Sequence, residues 1–116
     1  MTDLQARLRA DLLTARKARD AAATAVLRST LAAISNAEAL PVAEASLTGD
    51  GPIAGAATGV GATEAVRRAL TDDDIRAIIS GEQAERMSAA TDLESHGAAE
   101  KAEQLRAEAE LLSVYL

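Results

Sequence analysis

The sequence predicts an all-α protein, a small four-helix arrangement of two helical hairpins joined by a long glycine-rich loop. Three observations carry that prediction. Apolar residues recur at helical spacing in four separate stretches, with no strand-like alternation to compete. Hydrophobic residues make up 48% of the chain, yet there is no Phe, no Trp and a single Tyr, so the core has to be aliphatic. Alanine is the commonest residue; it loses no side-chain entropy in a helix and lets helix backbones approach closely. At 116 residues the chain suits one domain. Residues 1–116 are therefore read as a single helical unit, with 1–40 a first hairpin, 41–70 a flexible loop and 71–116 a second hairpin.

In the first helix, from Asp3 onward, Leu4, Leu8 and Leu12 repeat every four residues, and Leu13 and Ala15 widen the stripe. A second stripe runs through Ala23, Leu27, Leu31 and Ile34. One straight helix from Asp3 to Glu38 would carry the first stripe to about positions 26, 29 and 33, at roughly 3.6 residues per turn. The observed residues fall about one position late. Asp20 is a good N-cap, and Arg16, Lys17 and Arg19 suit the carboxyl end of a preceding helix. A break is predicted near Ala18 to Asp20; with no Gly or Pro there, a kinked continuous helix is the alternative.

Pro41 is expected to end the second helix, and "GDGPIAGAATGVGATEAV" follows, with five of the seven glycines. A loop of about 25 residues is usually functional or disordered. It is no P-loop, because it lacks the Lys-Ser or Lys-Thr ending and no strand precedes it. In "LTDDDIRAII" Thr71 is placed to cap a third helix, whose first turn sets Asp72, Asp73 and Asp74 against the positive helix end. Its stripe runs Ile75, Ile78, Ile79, Glu82, Arg86, Ala89 or Ala90, and Leu93. Gly97, just after His96, is placed for a left-handed cap. The last helix shows Ala98, Ala102, Leu105, Ala109, Leu112 and Tyr115 on one face.

Candidate chemistry is sparse. There is no cysteine, hence no disulfide or thiolate chemistry, which fits a reducing compartment. "MTDLQARLRADLL" has no long apolar core and no uncharged run approaches membrane-spanning length, so a cytoplasmic protein with no membrane partner is expected. One histidine cannot build a multi-histidine metal site, and no serine lies in a nucleophile elbow. No catalytic residue, metal or cofactor is expected.

The net charge of -6 is uneven. Residues 1–35 hold six basic and three acidic side chains, residues 36–63 three acids and no base, and residues 64–116 six basic against twelve acidic groups. A solvated face is the simpler reading of this bias; only the N-terminal third could attract a polyanion, through Arg7, Arg9, Arg16, Lys17, Arg19 and Arg28, with Arg67 and Arg68 ahead of the third helix. Polar residues also interrupt the apolar stripes: Glu82 and Arg86 in the third helix, Arg28 and Asn36 in the second. An exposed pair like Glu82 and Arg86 would contribute about 0.2 to 0.5 kcal/mol; buried, loss of one partner would cost about 3 to 5 kcal/mol. Arg28, Asn36, Glu82 and Arg86 are read as one structural polar layer across the bundle, with Arg28 serving Glu82. A ligand site and a set of independent surface residues are the less favoured readings.

The stretches "KARD" with "VLRSTLAAISNAE", "LTDDDIRAIISGEQAERMSAA" and "LRAEAELLSVYL" together resemble the YqeY-like proteins. Their domain is related to the carboxyl-terminal tail of GatB, a subunit of the glutamine-dependent aspartyl/glutamyl-tRNA amidotransferase. The resemblance spans nearly the whole chain outside the glycine loop. It carries the family label of carbon-nitrogen ligase with glutamine as amide donor, but the amidotransferase's catalytic centres lie outside the tail. It implies a noncatalytic helical module that contacts tRNA or an amidotransferase complex, with Lys17, Arg19, Asp20, Arg28, Asn36, Glu82 and Arg86 on shared motif positions. In that family the YL is followed by a proline and a further small helical region, so a chain ending at Leu116 is expected to be a fragment or to lack that subdomain. The competing expectation is a protein-interaction bundle with no RNA role.

Overall fold

The computed structural model of the chain describes residues 2–39 and 69–116. The predicted glycine-rich loop, its Pro41 boundary, and Arg67 and Arg68 lie outside the described residues. Helix α1 spans Asp3–Lys17, α2 Ala21–Ala39, α3 Asp72–Ser95 and α4 Ala99–Leu112, and a single 3-10 turn, Ser113–Tyr115, follows. Among the described residues there is no strand.

Three of the four described helix starts follow local side-chain chemistry, whereas α4 begins after Ala98 with no side-chain cap. The Thr2 hydroxyl accepts from the Gln5 amide at 3.1 Å. At α3 the cap is reciprocal: the Asp74 amide donates to the Thr71 hydroxyl at 3.1 Å, and the Thr71 amide donates to the Asp74 carboxylate at 3.0 Å. Two amides that the helix itself leaves without partners are thus satisfied.

The first hairpin breaks where the stripe shifts. Asp20 Oδ1 accepts from the Ala23 amide at 3.0 Å and caps α2. The chain turns without Gly or Pro because Arg19 adopts a left-handed backbone, φ 57°. The Arg19 amide then reaches the Arg16 carbonyl at 3.1 Å and the Asp20 amide reaches the Ala15 carbonyl at 2.9 Å, which satisfies the last carbonyls of α1. The α3–α4 turn has the same form around Gly97, φ 86°. There Gly97 donates to Glu94 at 3.1 Å and Ala98 to Leu93 at 2.8 Å.

Both hairpins contribute to one aliphatic core: Leu4, Leu8 and Ala15, then Val26, Leu27 and Ile34, then Ile75 and Ile79, closed by Leu112 and Tyr115. Each large aliphatic side chain fully removed from water contributes about 1.5 to 3 kcal/mol. Three residues depart from the predicted pattern. Leu13 does not widen the α1 stripe but is 52% exposed, because a step of about 100° per residue carries it past Leu12 to the outer side. Gln5, which shares a side with Leu12 two turns on, is buried instead, and its amide reaches Glu38 at 3.4 Å. Leu70, assigned to the loop, packs into the core just ahead of the Thr71 cap.

Beyond this core α3 and α4 run on against each other. Ala90, Ala102 and Ala109 are buried there, apart from the aliphatic cluster. Side chains this small allow close helix approach but bring little apolar area with them.

Candidate functional site

Two groups of polar side chains compete for a functional role. The first lies where the aliphatic core meets the alanine-lined part of the second hairpin. Arg86 bonds Glu82 Oε1 through Nη1 at 3.1 Å and Glu108 Oε1 through Nε at 3.4 Å, and Nη1 also reaches the Glu82 carbonyl at 3.1 Å. These side chains are only 14% to 16% exposed. Glu82 and Arg86 therefore form a polar layer, with Glu108 as a member that the sequence did not single out. Its signal was faint, since Glu108 reads as one acid among several on an otherwise solvated helix.

The predicted link from Arg28 to Glu82 is not what the structure shows. Ser29 takes that place, its hydroxyl donating to Glu82 Oε1 at 3.0 Å. Arg28 precedes it by one residue, about 100° around α2, and is exposed, as is Asn36. Below the layer, Gln83 donates to the Ala109 carbonyl at 2.8 Å and to the Ser113 hydroxyl at 2.9 Å. With Arg86 shared by both carboxylates and the Ser29 hydroxyl donating to one of them, this layer acts as a fastener between helices.

A second fastener joins the hairpins. The Tyr115 hydroxyl donates to Asp11 Oδ2, and the Arg7 guanidinium lies 4.8 Å from the ring centroid. Burial, then the hydrogen bond and charge of Asp11, push the Tyr115 phenol well above its ordinary range, while Arg7 opposes them. The only aromatic residue in the chain thus ties the C-terminal turn to α1. Sequence spacing places Arg7 and Asp11 on one side of α1 but does not reveal their partner.

The second group is at the α1–α2 corner. Arg16, Arg19 and Arg28 line one open depression of about 420 Å³, whose remaining wall is Ala21, Thr24 and Ala25. Arg16 comes from the last turn of α1, Arg19 from the left-handed turn and Arg28 from the outer side of α2, so the break in the first hairpin brings them together. Arg76, Arg86 and Arg106 are held in ion pairs, whereas Arg16, Arg19 and Arg28 have none among the described residues. Asp20 lines the adjoining cleft with Ala15, Ala18, Ala23 and Leu27 instead.

Three fixed positive charges without carboxylates can accept an anion, and small neighbours leave it room to approach. Thr24 adds a hydroxyl donor. Arg9, also exposed, sits two turns before Arg16 on the same side of α1, and Lys17 is exposed at the end of that helix without lining the depression. Among the described residues no helix is long and apolar enough to cross a membrane, and no three His, Cys, Asp or Glu side chains gather as metal ligands. Comparison of the sequence with known protein families, curated proteins and solved structures finds no match.

Proposed function

We propose that this chain is a noncatalytic helical module that contacts the phosphate backbone of RNA through the α1–α2 corner. The observation that carries the reading is the convergence of Arg16, Arg19 and Arg28 on one depression without internal ion pairs. Phosphate contacts need cations positioned on a rigid scaffold, and a helical hairpin supplies that. Tyr115, the one residue among Phe, Tyr and Trp, is buried, and the depression itself is lined by no ring, so this corner is suited to backbone contact with folded RNA rather than to stacking of unpaired bases. The resemblance to YqeY-like proteins points to tRNA, or to an amidotransferase that holds it, within glutamine-dependent tRNA amidation.

Binding of tRNA measured across a salt series tests this. Three phosphate contacts give a log–log slope of about −2 to −3. Absence of binding at about 50 mM salt overturns the reading, since electrostatic contact is strongest there. The second reading is a protein-interaction bundle, favoured by the exposed apolar side chains of Leu111 and Val114 beside the Asp20 cleft. It gains if tRNA is not bound and the fold is intact.

A further inference from the structure

The two hairpin turns of this chain have the same hydrogen bonding and the same left-handed central residue, yet one uses Gly97 and the other Arg19. Glycine takes that backbone without steric penalty, whereas a residue with a Cβ carries one. Arginine has no short polar side chain to offset the penalty locally, as Asn or Asp can. Nor does the guanidinium make up for it by packing or pairing: Arg19 is exposed and has no ion pair among the described residues. The left-handed backbone closes the turn as Gly97 does in the other hairpin, and what the arginine adds to it is a guanidinium lining the depression that Arg16 and Arg28 also line. A conformational cost that glycine would avoid, borne by an exposed side chain on an open cationic depression, points to an external partner.

We infer that Arg19 is a phosphate-contacting residue, carried on a strained turn so that its guanidinium joins those of Arg16 and Arg28 around a backbone phosphodiester. The inference rests on the RNA-contact reading above and names the residue in that site whose role in binding runs against its role in the fold. A planar guanidinium presents paired donors to phosphate oxygens, which explains why arginine rather than a turn-forming residue occupies the position.

The test uses the full chain with Arg19→Gly and Arg19→Lys, each examined by thermal unfolding without RNA and by tRNA binding across a salt series. Arg19→Gly is expected to leave Tm unchanged or raise it by up to about 5 °C, because relief of the left-handed strain is partly offset by the greater freedom of the unfolded chain. The same variant should bind tRNA about five- to tenfold more weakly near 0.1 M salt, with a slope shallower by about one, as expected for one lost phosphate contact. Arg19→Lys should keep the wild-type slope, since the charge remains. If Arg19→Gly binds with the wild-type slope while the wild type binds tRNA, Arg19 is not a phosphate contact and only this inference falls. If the wild type does not bind tRNA, the RNA-contact reading falls and takes this inference with it. A clear drop in Tm for Arg19→Gly would show that the arginine supports the turn, which would overturn the strain argument.

Discussion

The first hairpin turns on an arginine and is held by aliphatic side chains, while the second turns on a glycine and, beyond the core that both share, is held by alanines and an ion cluster. In α1 and α2, Leu4, Leu8, Val26, Leu27 and Ile34 lie in the common core. In the later part of α3 and the facing part of α4, the buried residues are Ala90, Ala102 and Ala109, and specificity comes from Arg86 between Glu82 and Glu108. The contrast teaches that the two ends of the molecule secure helix pairing by different means. Apolar area does so in one, which frees the surface arginines. Charge pairing does so in the other, which consumes them.

The largest expected break in this contrast is Arg86→Ala. It strands two largely buried carboxylates, and should cost about 2 to 4 kcal/mol, below the fully buried figure because the pairs keep some solvent contact. Arg28→Ala, at an exposed position, should stay within about 0.5 kcal/mol. Urea unfolding of both variants checks the difference; equal losses would mean that the ion cluster does not hold the second hairpin together.

Placing in the second turn what the first turn has is the next test. Gly97→Arg keeps the left-handed backbone but adds a Cβ, and should cost about 1 to 2 kcal/mol. A neutral result would show that such a turn carries no left-handed penalty, and that an arginine at its centre is not strained.

The link between the hairpins has a pH signature. Folded Tyr115 holds its proton more tightly than an unfolded tyrosine does. The stability it contributes is therefore complete below the ordinary phenol value of about 10 and is lost as pH rises beyond it, by up to about 1.4 kcal/mol per pH unit while only the unfolded state ionises. Comparing wild type with Tyr115→Phe by urea unfolding between about pH 8 and 11 isolates this contribution; parallel profiles would show that the phenol is not linked to folding. The smallest effect belongs to Gly81, on the exposed side of α3, where an added Cβ meets nothing within 4 Å. Gly81→Ala should stabilise by about 0.5 to 1 kcal/mol, read as a rise in Tm.

Much of this architecture follows from local rules that are visible in a linear string. Four apolar stripes at helical spacing set the helices, Thr71 and Asp20 mark two starts, and Gly97 marks a stop, because caps and left-handed turns depend on the residues immediately around them. The uneven charge likewise located the cationic end. Several features were decided only in three dimensions. A helical stripe says which side of a helix is apolar but not how wide the contact is, so Leu13, expected in the stripe, is exposed, and Gln5, which no apolar pattern picks out, is buried. Arg28 and Ser29 differ by about 100° on α2, and only the packing of α2 on α3 determined which one meets Glu82. Glu108 and the Tyr115–Asp11 link join positions far apart in the chain, which no local pattern relates. The cationic depression is of the same kind: its three arginines come from a helix end, a turn and the next helix, and they converge because Arg19 bends the chain where glycine would ordinarily be expected.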